Sequence, residues 1–137
     1  GFNREEIEHK NMKFTIWDIH MPAPEIGLSR RENGETRILD MWKPYFEATQ
    51  ALIYVVDSSE SEYMDRARDE LLAMLCDPIV AGRKLLVFAN EKNAETSLTT
   101  TQLIERLDLK SVKGRKWHIH RCNAKTGESL RVGLDWF

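Results

Sequence analysis

From Met12 to Asp18, in MKFTIWD, apolar residues take every second position, so Met12, Phe14 and Ile16 share one face. That alternation predicts a strand covered on one side. REEIEHK (Arg4–Lys10) alternates weakly before it, with the turn residue Asn11 between, and the pair predicts a β-hairpin. ALIYVVD (Ala51–Asp57) and RKLLVFAN are different, being continuous apolar runs, which predicts strands buried on both faces. Between them, in Ser59–Asp77, Met64, Ala67, Leu71, Leu72, Met74 and Leu75 fall at helical spacing behind an acidic first turn. TTTQLIERLDL predicts a helix capped by Thr99 or Thr100, KWHIHRCNA a strand, and ESLRVGLDWF a short closing helix. Nearer the start, His20–Thr36 holds two prolines, two glycines and no period, which predicts a loop. The segment ILDMWKPYFEATQ after it predicts a short helix that Pro44 bends or shortens.

After the hairpin, strands alternate with helices, which predicts an α/β sandwich around a mostly parallel sheet. Ligands of such sheets bind beyond the carboxyl ends of the strands. Asp18, Asp57, Asn90 and Asn123 all stand at such ends. The stretch LLVFANEKN therefore stops its apolar run where a ligand would sit, and a turn or a binding site both explain it.

Composition narrows the function classes. A chain of 137 residues suits one domain, here 1–137, and its balance of 42% hydrophobic and 31% charged residues is that of a folded protein. A net charge of −2 offers no general attraction to nucleic acid or to an acidic membrane. Two cysteines, Cys76 and Cys122, on separate elements argue against a disulfide framework or zinc site and for a reducing compartment. The longest apolar run, Ala51–Val56, is too short to cross a bilayer. The charged amino end is unlike a signal peptide, and Glu5 occupies the Ser/Thr position of a myristoylation motif, so no anchor is expected in this chain.

Four stretches in order carry a resemblance to the Arf and Arf-like branch of the small GTPases. GFNREEIEHKNMKFTIWD resembles the end of switch I and the interswitch hairpin. ATQALIYVVDSSESEYMDRARDELLAML resembles the next strand and helix, and LLVFANEKN the strand ending in Asn-Lys-x-Asp. WHIHRCNAKTGESLRVGLDWF resembles the last strand, the Ser-Ala-Lys loop and the closing helix. The resemblance implies an incomplete G-domain fold: a mostly parallel sheet, the antiparallel interswitch hairpin and flanking helices. It implies GTP or GDP and Mg2+ as ligands, and effectors, exchange factors and GTPase-activating proteins as partners. It also implies a cytoplasmic GTP/GDP switch in vesicle traffic, peripheral at Golgi or other endomembranes and touching them only indirectly.

The family's phosphate loop, G-x-x-x-x-G-K-[ST], does not occur in these 137 residues, so a truncated domain, inactive as written, is expected. Asp18 matches the aspartate that holds magnesium through water. The Gly-Gly that should come next is replaced by Ile19, His20 and Met21. NGETRILDMW lines up with the family's Gly-Gly-Gln region, which makes 20–32 an insertion in switch II. Gly34 would then stand for the γ-phosphate glycine and Glu35 for the water-orienting glutamine, where a carboxylate should slow hydrolysis.

Asn90 matches the first residue of Asn-Lys-x-Asp, and Asn93 stands where the aspartate belongs. An amide there meets guanine's exocyclic amine with a donor, so xanthine suits it better. Glu91 replaces the lysine that packs over the base, with Lys92 one place on. Asn123, Ala124 and Lys125 resemble the Ser-Ala-Lys loop, whose backbone N–H reads the guanine carbonyl. Phe2, Trp17 and Tyr45 match the family's aromatic effector surface. Three functions stay open: an Arf-like GTPase, a nucleotide-independent pseudo-GTPase that binds proteins, and a non-functional fragment.

Overall fold

A computed structural model describes residues 2–19, 28–30, 36–38 and 43–137. Strands β1 (Phe2–His9) and β2 (Met12–Ile19) form the expected antiparallel hairpin, with His9 opposite Met12. Lys10 and Asn11 at its tip have φ of 48° and 64°. Two positive values in a two-residue loop match the right-handed twist of the flanking strands.

A second ladder corrects the reading of His20–Thr36 as loop throughout. β3 (Leu28–Arg30) pairs antiparallel with β4 (Thr36–Ile38), Leu28 opposite Ile38 and Arg30 opposite Thr36. Three residues per strand are too few for a period of two to show in the sequence. The helix expected from Ile38 is likewise shorter: α1 covers only Lys43–Glu47. Pro44 is its second residue, where a missing N–H breaks no helical bond, so the proline starts this helix rather than bending it.

The main sheet has three parallel strands, β5 (Ala51–Asp57), β6 (Lys84–Asn90) and β7 (Trp117–Cys122), in the order β5-β6-β7. Helices α2 (Met64–Leu75) and α3 (Thr100–Arg106) connect them, and α4 (Leu130–Leu134) closes the chain. Of the two candidate caps for α3, Thr99 is the one used. Its Oγ1 accepts the Gln102 N–H at 3.2 Å, and the Gln102 side chain accepts the Thr99 N–H at 2.8 Å.

β6 lies in the middle and is buried on both faces. Leu85, Val87 and Ala89 pack with Leu71, Leu103 and Leu107 on the side of α2 and α3. Leu86 and Phe88 pack with Cys122 and Leu134 on the side of α4, where Ile7 and Phe14 of the hairpin also reach. Alternate residues of one strand thus join two core clusters.

β5 departs from expectation. Its run reads as buried on both faces, yet Val55 is 61% exposed and Ile53 37%. Leu52 and Val56 are buried on the opposite face. The reason is position: β5 is an outer strand of the three, and α4 packs over the neighbouring Leu86 and Phe88 instead.

The hairpin is tied to the end of the chain. His9 and Lys10 both meet the Asp135 carboxylate, Lys10 at 2.8 Å, and Arg131 Nη1 donates to the Glu8 carbonyl at 3.2 Å. Among the described residues no helix is long and apolar enough to cross a membrane.

Candidate functional site

The three parallel strands end level with one another, because Asp57 pairs with Asn90 and Asn90 with Cys122. Asn90 links the loops beyond its two neighbouring strands. Its main-chain oxygen accepts the Ser58 N–H at 2.9 Å and the Ser58 hydroxyl at 2.8 Å. Its side-chain Oδ1 accepts the Ala124 N–H at 2.9 Å, across to the loop after β7. That loop is held by Asn123, whose Oδ1 accepts the N–H groups of Lys125 (3.1 Å) and Thr126 (3.2 Å). Gly127, at φ 77°, then lets the chain turn back so that its N–H reaches the Asn123 carbonyl at 2.8 Å. Asn90, Lys92, Asn123 and Lys125 line a cavity of about 340 Å³ here. That volume is at the small end of the range for small-molecule sites.

Lys92 and Glu91 at the rim each have an ion-pair partner. Lys92 Nζ lies 2.6 Å from Asp57 Oδ2 and 3.8 Å from Glu60 Oε1. Asp57 Oδ1 accepts the Ser59 N–H at 3.0 Å. Burial pushes the Asp57 acid up, but the Lys92 ammonium and the Ser59 N–H outweigh it and hold the carboxyl below its ordinary value. The hydrogen bond to Asp57 raises the Lys92 ammonium in turn. Glu91 pairs with Arg121 on β7.

Comparison with known proteins decides what this arrangement belongs to. The sequence profile of the ADP-ribosylation factor family matches residues 1–137. The chain belongs to that family. It is 35% identical over 136 residues to ADP-ribosylation factor J of Dictyostelium discoideum, a match covering 99% of this chain and 65% of that protein. The chain thus spans a little under two thirds of that relative's length.

Against the Arf-family pattern, the structure brings together Asn90, Lys92, Asn123 and Lys125, with Ala124 contributing its backbone. Lys92, rather than Glu91, is the residue that lines the cavity. The Ala124 N–H, expected to read a base carbonyl, is donated to Asn90 instead. Asn93 is turned into its own loop. Its Oδ1 accepts the Glu95 N–H at 3.0 Å, and its carbonyl accepts the Ser97 hydroxyl at 2.6 Å. It does not line the cavity.

Trp17 and Tyr45 do meet, edge to face, with ring centroids 5.3 Å apart, and Arg4 lies 5.7 Å from the Trp17 ring centre. Trp17 remains 38% exposed. Asp18 lies in β2 opposite Asn3, but its side chain, like that of Phe2, lies outside the described residues, as do Gly34 and Glu35 entirely. Two features escaped the sequence reading. The Asp57–Lys92 pair needs two strand ends side by side, and the Thr126 N–H bond needs the loop's turn. Only Asp57's place at a strand end hints at either.

Proposed function

We propose that this chain is the nucleotide-base half of an Arf-type switch, binding the ring of a purine nucleotide at the ends of β6 and β7. The observation that carries the reading is the Asn90–Ala124 bond, which joins the two loops around a cavity of small-ligand size. The residues present fit a heterocycle: Asn90, Asn123 and the Lys92 and Lys125 stems supply polar groups at the edge and apolar stems along it. When bound, the nucleotide would supply the hydrolysable γ-phosphate of the family's switch. This chain's own part is to hold and orient the base.

The remaining roles come with family membership. GTP or GDP with Mg2+ is the ligand, with Asp18 on the metal side, Gly34 at the γ-phosphate and Glu35 at the attacking water. Residues 1–137 then form one G-domain unit with 20–32 inserted in switch II. Phe2, Trp17 and Tyr45 face effectors, and exchange factors and GTPase-activating proteins are further partners. The setting is cytoplasmic, at the surface of Golgi or other endomembranes.

A second reading is supported by the half-exposed Trp17–Tyr45 pair: a module that binds proteins without nucleotide. Titration of the isotope-labelled chain with purine nucleotides, monitored by amide NMR, separates the two. The first reading expects saturable shifts at Asn90, Ala124 and Lys125. Contacts to the base alone make the affinity weaker than about micromolar, or about −8 kcal/mol. No shift at those amides with any purine nucleotide at millimolar concentration would overturn the first reading.

A further inference from the structure

β7 carries histidine at two alternate positions, His118 and His120, in WHIHRC. Residues two apart on a strand share a face. The register sets these two beside Leu86 and Phe88 of β6, on the side of the sheet where Leu134 of α4 packs. His118 stacks on Trp136, with ring centroids 5.7 Å apart, and His120 meets the Phe88 ring edge-on at 6.4 Å. The two imidazoles lie 5.9 Å apart, centre to centre, and are tilted by 36°. β7 is an outer strand of the main sheet, and both histidines remain partly exposed. Neither ring makes a hydrogen bond among the described residues, and neither leaves a buried nitrogen without a partner, so the ring nitrogens reach solvent.

A neutral imidazole offers one lone pair, and two imidazoles on one strand face can close on the same ion. A metal held about 2.0–2.1 Å from one nitrogen of each ring places the ring centres about 4.5–6 Å apart, depending on the angle at the metal. The observed 5.9 Å lies within that span. The packing of each ring on an aromatic neighbour fixes it in advance, so little side-chain freedom is lost on binding. The surroundings then decide which metal fits. Among the described residues no third His, Cys, Asp or Glu completes a group with these two. Lys84 stands 5.8 Å from the centre of the Trp136 ring and adds positive charge nearby. Hard cations such as Mg2+ and Ca2+, which need oxygen ligands, find none here. Cys122, two residues further along β7, is 5% exposed and packs in the core with Leu86 and Leu134, so it supplies no thiolate. Two imidazoles suit Cu2+, Ni2+ and Zn2+, in an affinity order that Cu2+ leads. We infer that His118 and His120 form a two-histidine chelate for a divalent ion of this borderline class, with water in the remaining positions. Neither ring passes its second N–H to a carboxylate or carbonyl, a partner whose loss costs about 10–100-fold in affinity, so the ion is an exchangeable one.

The test is NMR titration of the full 137-residue chain with Zn2+ and, separately, with Mg2+, followed by competition of Cu2+ against Zn2+. Zn2+ should shift the ring signals of His118 and His120 saturably, Mg2+ should leave them unmoved, and Cu2+ should bind at least about tenfold tighter than Zn2+. His120→Gln should weaken Zn2+ at least about tenfold. His118→Phe should do the same while keeping an aromatic ring on Trp136, and circular dichroism checks that both variants fold. Shifts centred on His9 or His20, the chain's other histidines, overturn the site, as does an equal response to Mg2+. A loss of affinity in only one variant overturns the chelate, since one histidine then binds alone. The titration contains no nucleotide, so its outcome leaves the base-site reading untouched.

Discussion

Replacing Asn90 by alanine tests how the site is held together. The substitution removes one hydrogen bond, the 2.9 Å bond from the Ala124 N–H, and leaves the two main-chain bonds to Ser58 in place. A neutral hydrogen bond is worth about 0.5–1.5 kcal/mol net. The Ala124 amide is exposed, so water takes over part of the loss, and about 0.5–1 kcal/mol is the expected cost. That cost should fall on the loop after β7 and not on the sheet. In hydrogen exchange monitored by NMR, the Ala124 amide of N90A should exchange up to about five times faster, the factor that corresponds to roughly 1 kcal/mol. The Ser58 amide, bonded to the Asn90 carbonyl, should keep its protection. Asn90→Asp retains an acceptor for Ala124 and strengthens it by its charge, so protection at Ala124 should survive there. Unchanged exchange at Ala124 in N90A would refute the bond's role. Equal loss at Ser58 and Ala124 would show that Asn90 supports the whole strand end and not the loop in particular.

Two further outcomes rest on local geometry. A Cβ on Gly133 would run into the Phe88 ring, 2.7 Å from its Cζ, and stand 3.2 Å from His120 Cδ2. Overpacking of about 1–3 kcal/mol should then exceed the helix-propensity gain of about 1 kcal/mol, and the urea midpoint of Gly133→Ala should fall; a rise would mean that the ring yields freely. For acid stability, Asp57 has its carboxyl held below the ordinary value, so it contributes stability that is present above the unfolded carboxylate value and is lost as pH falls through the folded one. Wild type should therefore exceed Asp57→Asn in urea unfolding at neutral pH, the gap closing below about pH 4, and a gap independent of pH would exclude the charge as its source.

The sequence was most legible where a pattern is long. Five residues of continuous apolar character, Leu85 to Ala89, located β6, and a six-member helical stripe located α2. It failed where elements are short, at β3, β4 and the five-residue α1, because three residues cannot display a period. It failed differently at β5. An apolar run records which residues tolerate burial, whereas Ile53 and Val55 show that tolerance need not be taken up when the strand is outermost. The places of Asn90, Asn123, Ala124 and Lys125 in the fold were legible because they stand at or just beyond strand ends in a fixed register. Lys92's partnership with Asp57 was not, since 35 residues separate the two in the chain and only the parallel pairing of β5 with β6 brings them level.

That register also accounts for the way each asparagine at the site serves two ends. A strand that finishes at a sheet edge leaves backbone N–H groups of the next loop without a ladder partner. Asparagine answers with its oxygen, as Asn90 does for Ala124 and Asn123 for Lys125 and Thr126. An aspartate at such a position satisfies the same backbone N–H while presenting an acceptor outward. Exchanging Asn for Asp can therefore alter which ring is bound with little change to the loop that binds it, whereas exchanging Asn for Ala loosens both. The two substitutions at Asn90 therefore separate the hydrogen bond that holds the loop from the side chain that makes it.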